Sequence, residues 1–145
     1  MDNDKSNLTP TNIPENILKE LKKAAKTVSQ SAYAPYSHFP VGAAVLTDSG
    51  EIYSGCNVEN ASLGLTICAE RNAIFQAVAH GTRQIRAVVI YTPTSTPSAP
   101  CGSCRQVINE FGSKTVIYST CDGKEVLHSD TKTLLPQAFG PDDLK

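Results

Sequence analysis

The chain's 145 residues, 40% of them hydrophobic, suffice for one domain with a core of ordinary size, so a second domain is not expected. Thirteen basic residues scattered among 14 acidic ones leave a formal net charge of -1 and no basic stripe, which argues against nucleic acid as a partner. The opening "MDNDKSNLTPTN" lacks the charged and apolar regions of a secretory leader, and no apolar run approaches a membrane span, so a soluble cytoplasmic protein is expected, with no membrane partner.

Residues 1–12 are polar and read as a flexible tail, leaving 13–145 as the single domain. After Pro14, which suits a first helical turn, Ile17, Leu18, Leu21, Ala25 and Val28 recur at helical spacing among lysines and a glutamate. An amphipathic helix is predicted there. "YAPYSHFP" breaks it with two prolines. "VGAAVLTDSGEIYSGCNVEN" then predicts a hairpin turning at Asp48–Gly50. "CAERNAIFQAVAHG" is apolar on most faces and ends at Gly81, as expected of a helix buried against a sheet. "IRAVVIYT" has the continuous apolar character of a central strand. Prolines 93, 97 and 100 favour a loop before a helix whose stripe is Cys104, Val107, Ile108 and Phe111. "KTVIYST" reads as the final strand, and "TLLPQAFGPDD" as a short apolar tail segment broken by Pro136. The order helix, hairpin, helix, strand, helix, strand, tail predicts a three-layer α/β/α domain with a mixed central sheet.

Cysteines at 56, 68, 101, 104 and 121 form an odd set, which favours metal or redox chemistry over a disulfide framework in a chain without an export signal. Cys101-Gly-Ser-Cys104 alone reads equally as a redox pair, half of a structural zinc site, or chance. Cys68 begins one predicted helix while Cys101 and Cys104 begin another, so three thiols can converge where two helix N-termini stabilise thiolates. A structural zinc wants a fourth protein ligand, and Cys56 or Cys121 is available for it; a catalytic zinc leaves that position to water. Glu70, two residues after Cys68, can point into the metal cavity as general base and then general acid. As a lone feature it would simply be an acid favouring a helix N-terminus. Arg71, three residues after Cys68, and Arg105, directly after Cys104, can each donate to sulfur, with Arg71 favoured because its neighbours suggest a buried helix.

At this point "YAPYSHFPVGAAV", "GCNVENAS", "TICAERNAI", "PCGSCRQVINEF" and "LLPQAF" together resemble the small homotetrameric branch of the zinc-dependent cytidine deaminases over residues 14–141. The resemblance implies one zinc per subunit on Cys68, Cys101 and Cys104, with Glu70 moving protons during hydrolytic deamination of cytidine and deoxycytidine in pyrimidine salvage. It implies that the Ala69 N–H meets the pyrimidine O2, that Asn57 and Glu59 hold the ribose 3′-hydroxyl, and that Phe39 packs on the base. An amide and a carboxylate suit a hydroxyl, since one donates and the other accepts. Without the motif order, Asn57 and Glu59 would read as solvated strand-end residues and Phe39 as core. His38 has no counterpart role and is expected to be structural or exposed.

In one place the chain departs from the pattern: Leu63 stands where the family commonly has a tyrosine that reaches a neighbouring subunit's site near the nucleoside 5′ end. Leucine cannot make that hydrogen bond, which raises the alternative of a modified cytosine nucleoside or nucleoside antibiotic as substrate. Ala61, Leu63 and Phe139 are the expected intersubunit positions of a homotetramer, although Leu134, Leu135 and Phe139 can equally pack on their own subunit. A non-enzymatic module with a closed four-cysteine zinc is the remaining alternative.

Overall fold

The computed structural model describes residues 13–145; the expected tail over residues 1–12 lies outside them. Helix α1 (Glu15–Ser29) follows Pro14, whose carbonyl accepts the first helical bond from Leu18 N at 2.9 Å. Proline costs nothing there, because an N–H at that position has no helical partner to lose. Strands β1 (Gly42–Thr47) and β2 (Ile52–Cys56) pair antiparallel around a turn in which Gly50 takes φ +88°. Helix α2 (Ala69–Ala79), strand β3 (Ile85–Tyr91), helix α3 (Gly102–Phe111) and strand β4 (Val116–Thr120) follow. A short strand β5 (Leu127–Asp130) and one helical turn, α4 (Thr131–Leu134), come near the end.

The sheet order is β2-β1-β3-β4-β5, with β3 and β4 parallel and every other neighbouring pair antiparallel. Alternation along the inner strands sorts side chains to two cores. Ala43, Val45, Val88, Ile90 and Ile117 face α2 and α3, meeting Ala73, Ile74, Ala77 and Ile108. Ala44, Leu46, Ala87, Val89 and Val116 face α1, meeting Leu21 and Ala25. Because both faces are covered, β1 and β4 are buried throughout and show no polar alternation in sequence. Fully buried side chains such as Leu21, Ile74 and Ile108 each contribute roughly 1.5–3 kcal/mol through loss of apolar surface from water. The three-layer α/β architecture with a mixed sheet agrees with the sequence expectation.

Strand β5 corrects that expectation, which ended the sheet at β4. "LHSD" is four residues long, partly polar and exposed at the sheet edge, so it lacks the apolar pattern by which strands are recognised. Its backbone pairing with β4 carries it instead.

Two features place the ends of α2 and α3. Since β3 and β4 are parallel, α3 must return from the C-terminal end of one to the N-terminal end of the other. Its N-terminus therefore lies beyond the C-terminal end of β3, where the N-terminus of α2 also arrives after packing antiparallel to β3. At Gly55 in β2, a Cβ would lie 2.4 Å from Ala73 N and 2.9 Å from Ala69 O. Only glycine lets α2 rest its first turns directly on the β2 backbone.

Candidate metal centre

Cys68 and Cys101 occupy the N-cap positions of α2 and α3, both with extended backbone. Each carbonyl accepts the first helical bond, from Asn72 N at 3.1 Å and Arg105 N at 3.0 Å. Cys104 sits one turn into α3 and is fully buried. The three Sγ atoms lie within 4.8 Å of one another, and Cys68 and Cys101 are 3.9 Å apart. A tetrahedral metal with metal–sulfur bonds of about 2.3 Å holds its sulfurs about 3.8 Å apart, so the donors are spaced for such an ion.

Their protonation also fits a cation. A hydrogen bond with Cys104 pulls the Cys68 thiol below its ordinary value against the effect of burial, and the Arg71 guanidinium assists. The same thiol contact, followed by burial, pushes Cys104 up. Three thiols this close do not all ionise unaided, whereas a soft divalent ion stabilises all three as thiolates; an all-sulfur set suits zinc. Cys56 and Cys121 stand apart. Cys121 Sγ contacts Ser95 O and Glu125 O, each at 3.6 Å, and neither cysteine belongs to a metal-binding cluster among the described residues. The closed four-cysteine arrangement therefore has no support in the geometry.

Glu70 lies in the first turn of α2, 5% exposed, with Oε2 at 3.6 Å from Cys104 Sγ. Burial pushes its carboxyl above the ordinary range, and the negative Cys68 adds to this. Arg71 Nη2 donates to Cys68 Sγ at 3.4 Å. Arg105 turns elsewhere: its Nε donates to Pro100 O at 2.7 Å and its Nη1 to Leu134 O at 3.1 Å. It ties the start of α3 to α4 and leaves sulfur to Arg71. Ala69, the first residue of α2, is buried, and its N–H has no helical acceptor.

The "NVEN" segment is held between two others just ahead of Cys68. Glu59 N donates to Tyr33 O at 2.8 Å on one side, and Val58 and Ile67 exchange backbone bonds of 3.0 Å on the other. Asn57 is 8% exposed and not solvated. Its Oδ1 accepts from Val41 N at 2.8 Å and its Nδ2 donates to Phe39 O at 2.9 Å. Glu59 accepts from Tyr36 N at 3.0 Å and Ser37 N at 3.1 Å through Oε1, and from the Ser37 hydroxyl through Oε2. These bonds, led by the one from the Ser37 hydroxyl, hold its carboxyl below the usual carboxylate range. Both side chains thus organise the loop that carries Phe39, which is exposed at its tip. His38 beside it is exposed, with φ +54°. Sequence reasoning assigned nothing to Ser37; its only local signal is a serine two positions before the Phe39 N–H that its hydroxyl accepts.

Ala61 is exposed, and Leu63 and Phe139 are 71% and 59% exposed. The Phe139 carbonyl is fastened to α3 by Gln106 Nε2 at 2.9 Å and Asn109 Nδ2 at 3.4 Å. Leu134 packs against the α2–α3 core. No helix among the described residues is long and apolar enough to cross a membrane.

A family model described as the cytidine and deoxycytidylate deaminase zinc-binding region matches residues 15–120. A cytidine deaminase of Sporosarcina psychrophila is 46% identical over 132 residues, which cover 90% of this chain and 93% of that one. The crystal structure of cytidine deaminase from Burkholderia pseudomallei superimposes with a TM-score of 0.79 at 46% identity, covering 83% of this chain and 98% of that one. That from Mycobacterium tuberculosis gives 0.75 at 39% identity, covering 85% and 97%.

Proposed function

The chain belongs to the cytidine and deoxycytidylate deaminase zinc-binding family, and from that premise we propose that it deaminates cytidine and deoxycytidine to uridine and deoxyuridine with release of ammonia. The observation that carries this reading is the buried Glu70 carboxylate beside a cluster of three thiols. Cys68, Cys101 and Cys104 hold zinc, which when bound supplies a Lewis acid that makes a water acidic enough to react near neutral pH. Glu70 takes a proton from the water attacking C4 and delivers it to N3 of the ring. It then takes the remaining proton from the C4 hydroxyl so formed and delivers it to the departing amine as the C4 carbonyl forms. Burial serves this role by keeping bulk water away from the carboxylate. Arg71 offsets part of the negative charge of three thiolates by donating to Cys68. The Ala69 N–H donates to the pyrimidine O2, Phe39 packs on the base, and Asn57 and Glu59 hold the sugar 3′-hydroxyl.

Residues 13–145 form the single catalytic domain. It works in pyrimidine salvage in the cytoplasm as a homotetramer, and the exposure of Leu63 and Phe139 supports their burial by neighbouring subunits. The substrate is a free nucleoside, in keeping with the lack of a basic stripe.

A direct test is ammonia release from cytidine by zinc-loaded protein, with Glu70→Gln as control. Release abolished in the control is expected. Leu63, which cannot donate a hydrogen bond, favours a second reading in which a modified cytosine nucleoside is the preferred substrate. An inert wild type on cytidine together with turnover of such an analogue would replace the first reading by the second.

A further inference from the structure

Glu59 has few acceptor sites to spare. A carboxylate offers about four lone-pair directions, two per oxygen. Both directions of Oε1 are taken by the backbone N–H groups of Tyr36 and Ser37. One direction of Oε2 is taken by the Ser37 hydroxyl. A single direction, on Oε2, remains for a ligand. The Ser37 hydroxyl that donates to Oε2 also accepts from Phe39 N at 3.1 Å. Among the described residues it is thus the one side chain bonded to both the carboxylate and the backbone of the aromatic. Asn57 closes the frame by bonding to the backbone on both sides of Pro40, at Phe39 and Val41. Between Ser37 and Phe39 the chain passes through His38 at φ +54°, a conformation disfavoured for a residue with a Cβ and kept only where surrounding bonds impose it.

We propose that Ser37 is a positioning residue for sugar recognition: its hydroxyl orients the one free acceptor direction of Glu59 toward the nucleoside 3′-hydroxyl, and couples that direction to the placement of Phe39. The proposal rests on the deaminase reading given above. Without the Ser37 hydroxyl, Glu59 turns about its last bond and shares two directions of Oε2 with solvent, so the sugar contact loses its defined geometry. The chemistry at Glu70 is untouched.

The test compares KM for cytidine with KM for 3′-deoxycytidine in wild type, Ser37→Ala and Ser37→Thr, each checked for zinc content. In wild type the 3′-deoxy compound has the higher KM. In Ser37→Ala the ratio of the two values is expected to shrink about tenfold, the loss of a hydrogen bond to a charged group, while kcat for cytidine changes little. Ser37→Thr, which keeps the hydroxyl, retains the ratio. A purely structural role would raise both KM values alike and leave the ratio unchanged, which overturns the proposal. Should Ser37→Ala not fold, Ser37→Gly makes the same deletion. If neither variant reaches wild-type zinc content, Ser37 is a folding residue and the proposal is overturned. Wild type inert on cytidine would instead overturn the deaminase reading itself.

Discussion

Glu70 on α2 and Cys104 on α3 meet in the interior, with Oε2 and Sγ 3.6 Å apart, so the carboxyl proposed to carry the proton and one thiol of the metal cluster share one buried corner. Glu70→Gln keeps the shape and removes the titratable carboxyl that can accept and release a proton. Turnover should fall by about 10²–10⁴-fold while zinc content stays at that of wild type, measured by ammonia release and by metal analysis of the same preparation. A variant that turns over normally would remove Glu70 from the mechanism.

The five cysteines should divide cleanly. Cys56→Ser and Cys121→Ser together leave zinc content unchanged, because neither thiol belongs to the cluster. Cys104→Ser, at a fully buried position, should lose the metal. Metal-to-protein ratios after gel filtration decide between this and a site completed by a fourth cysteine.

Arg71 and Arg105 look alike in sequence but differ in partners, one donating to Cys68 Sγ and the other to Pro100 O and Leu134 O. Arg71→Ala should weaken zinc binding by about 10–100-fold, as loss of a bond to a metal ligand typically does. Arg105→Ala should leave the affinity nearly intact and lower stability by about 1–3 kcal/mol. Chelator competition reads the first effect and chemical denaturation the second.

Gly55→Ala tests the seating of α2. Its Cβ would meet Ala73 N at 2.4 Å and Ala69 O at 2.9 Å, backbone atoms that cannot rotate aside, so the helix must shift. A loss of about 1–3 kcal/mol is expected, with a fall in kcat of roughly 10²-fold if Glu70 moves by about 1 Å. Unchanged kcat with reduced stability would show that the helix tilts away from its other end.

A pH effect arises on the opposite face of the sheet. The Tyr91 hydroxyl donates to Asp122 Oδ1 at 2.8 Å, and burial, then this bond, push its phenol up from 10.0 to about 12. Between these values the unfolded chain has lost the proton and the folded chain still holds it. Fewer protons on the unfolded side mean that stability falls as pH rises through this window, and is fully present below it. The unfolding midpoint should therefore drop between pH 10 and about 12, and Tyr91→Phe should flatten that limb while costing about 1 kcal/mol at neutral pH.

The parts of the fold legible in sequence were those whose period reports burial. The stripe from Ile17 to Val28, the unbroken "IRAVVIY", and the apolar helix around Ile74 each follow from which faces are covered. Strand β5 was hidden because its order comes from backbone pairing to Val116–Ser119 at an edge, which leaves no mark on residue type. In the site, Cys68, Glu70, Cys101 and Cys104 were legible from spacing at two helix starts together with the family resemblance. The partners of Arg105 were not, since Leu134 lies 29 positions away and only the packed chain brings it close. The same holds for Asn57 and Glu59, which look like solvated loop residues until the loop near Phe39 is folded onto them.

Cys68 and Cys101 stand 33 positions apart, with the whole of α2 and β3 between them. An ion bound to both turns this stretch into a closed ring, and a ring has fewer conformations to explore once the protein unfolds. For a permanent link of that span the chain-entropy contribution is about 4 kcal/mol. The metal centre is in this respect also a clasp on the chain, and removal of its ion acts on the unfolded ensemble as well as on the native site.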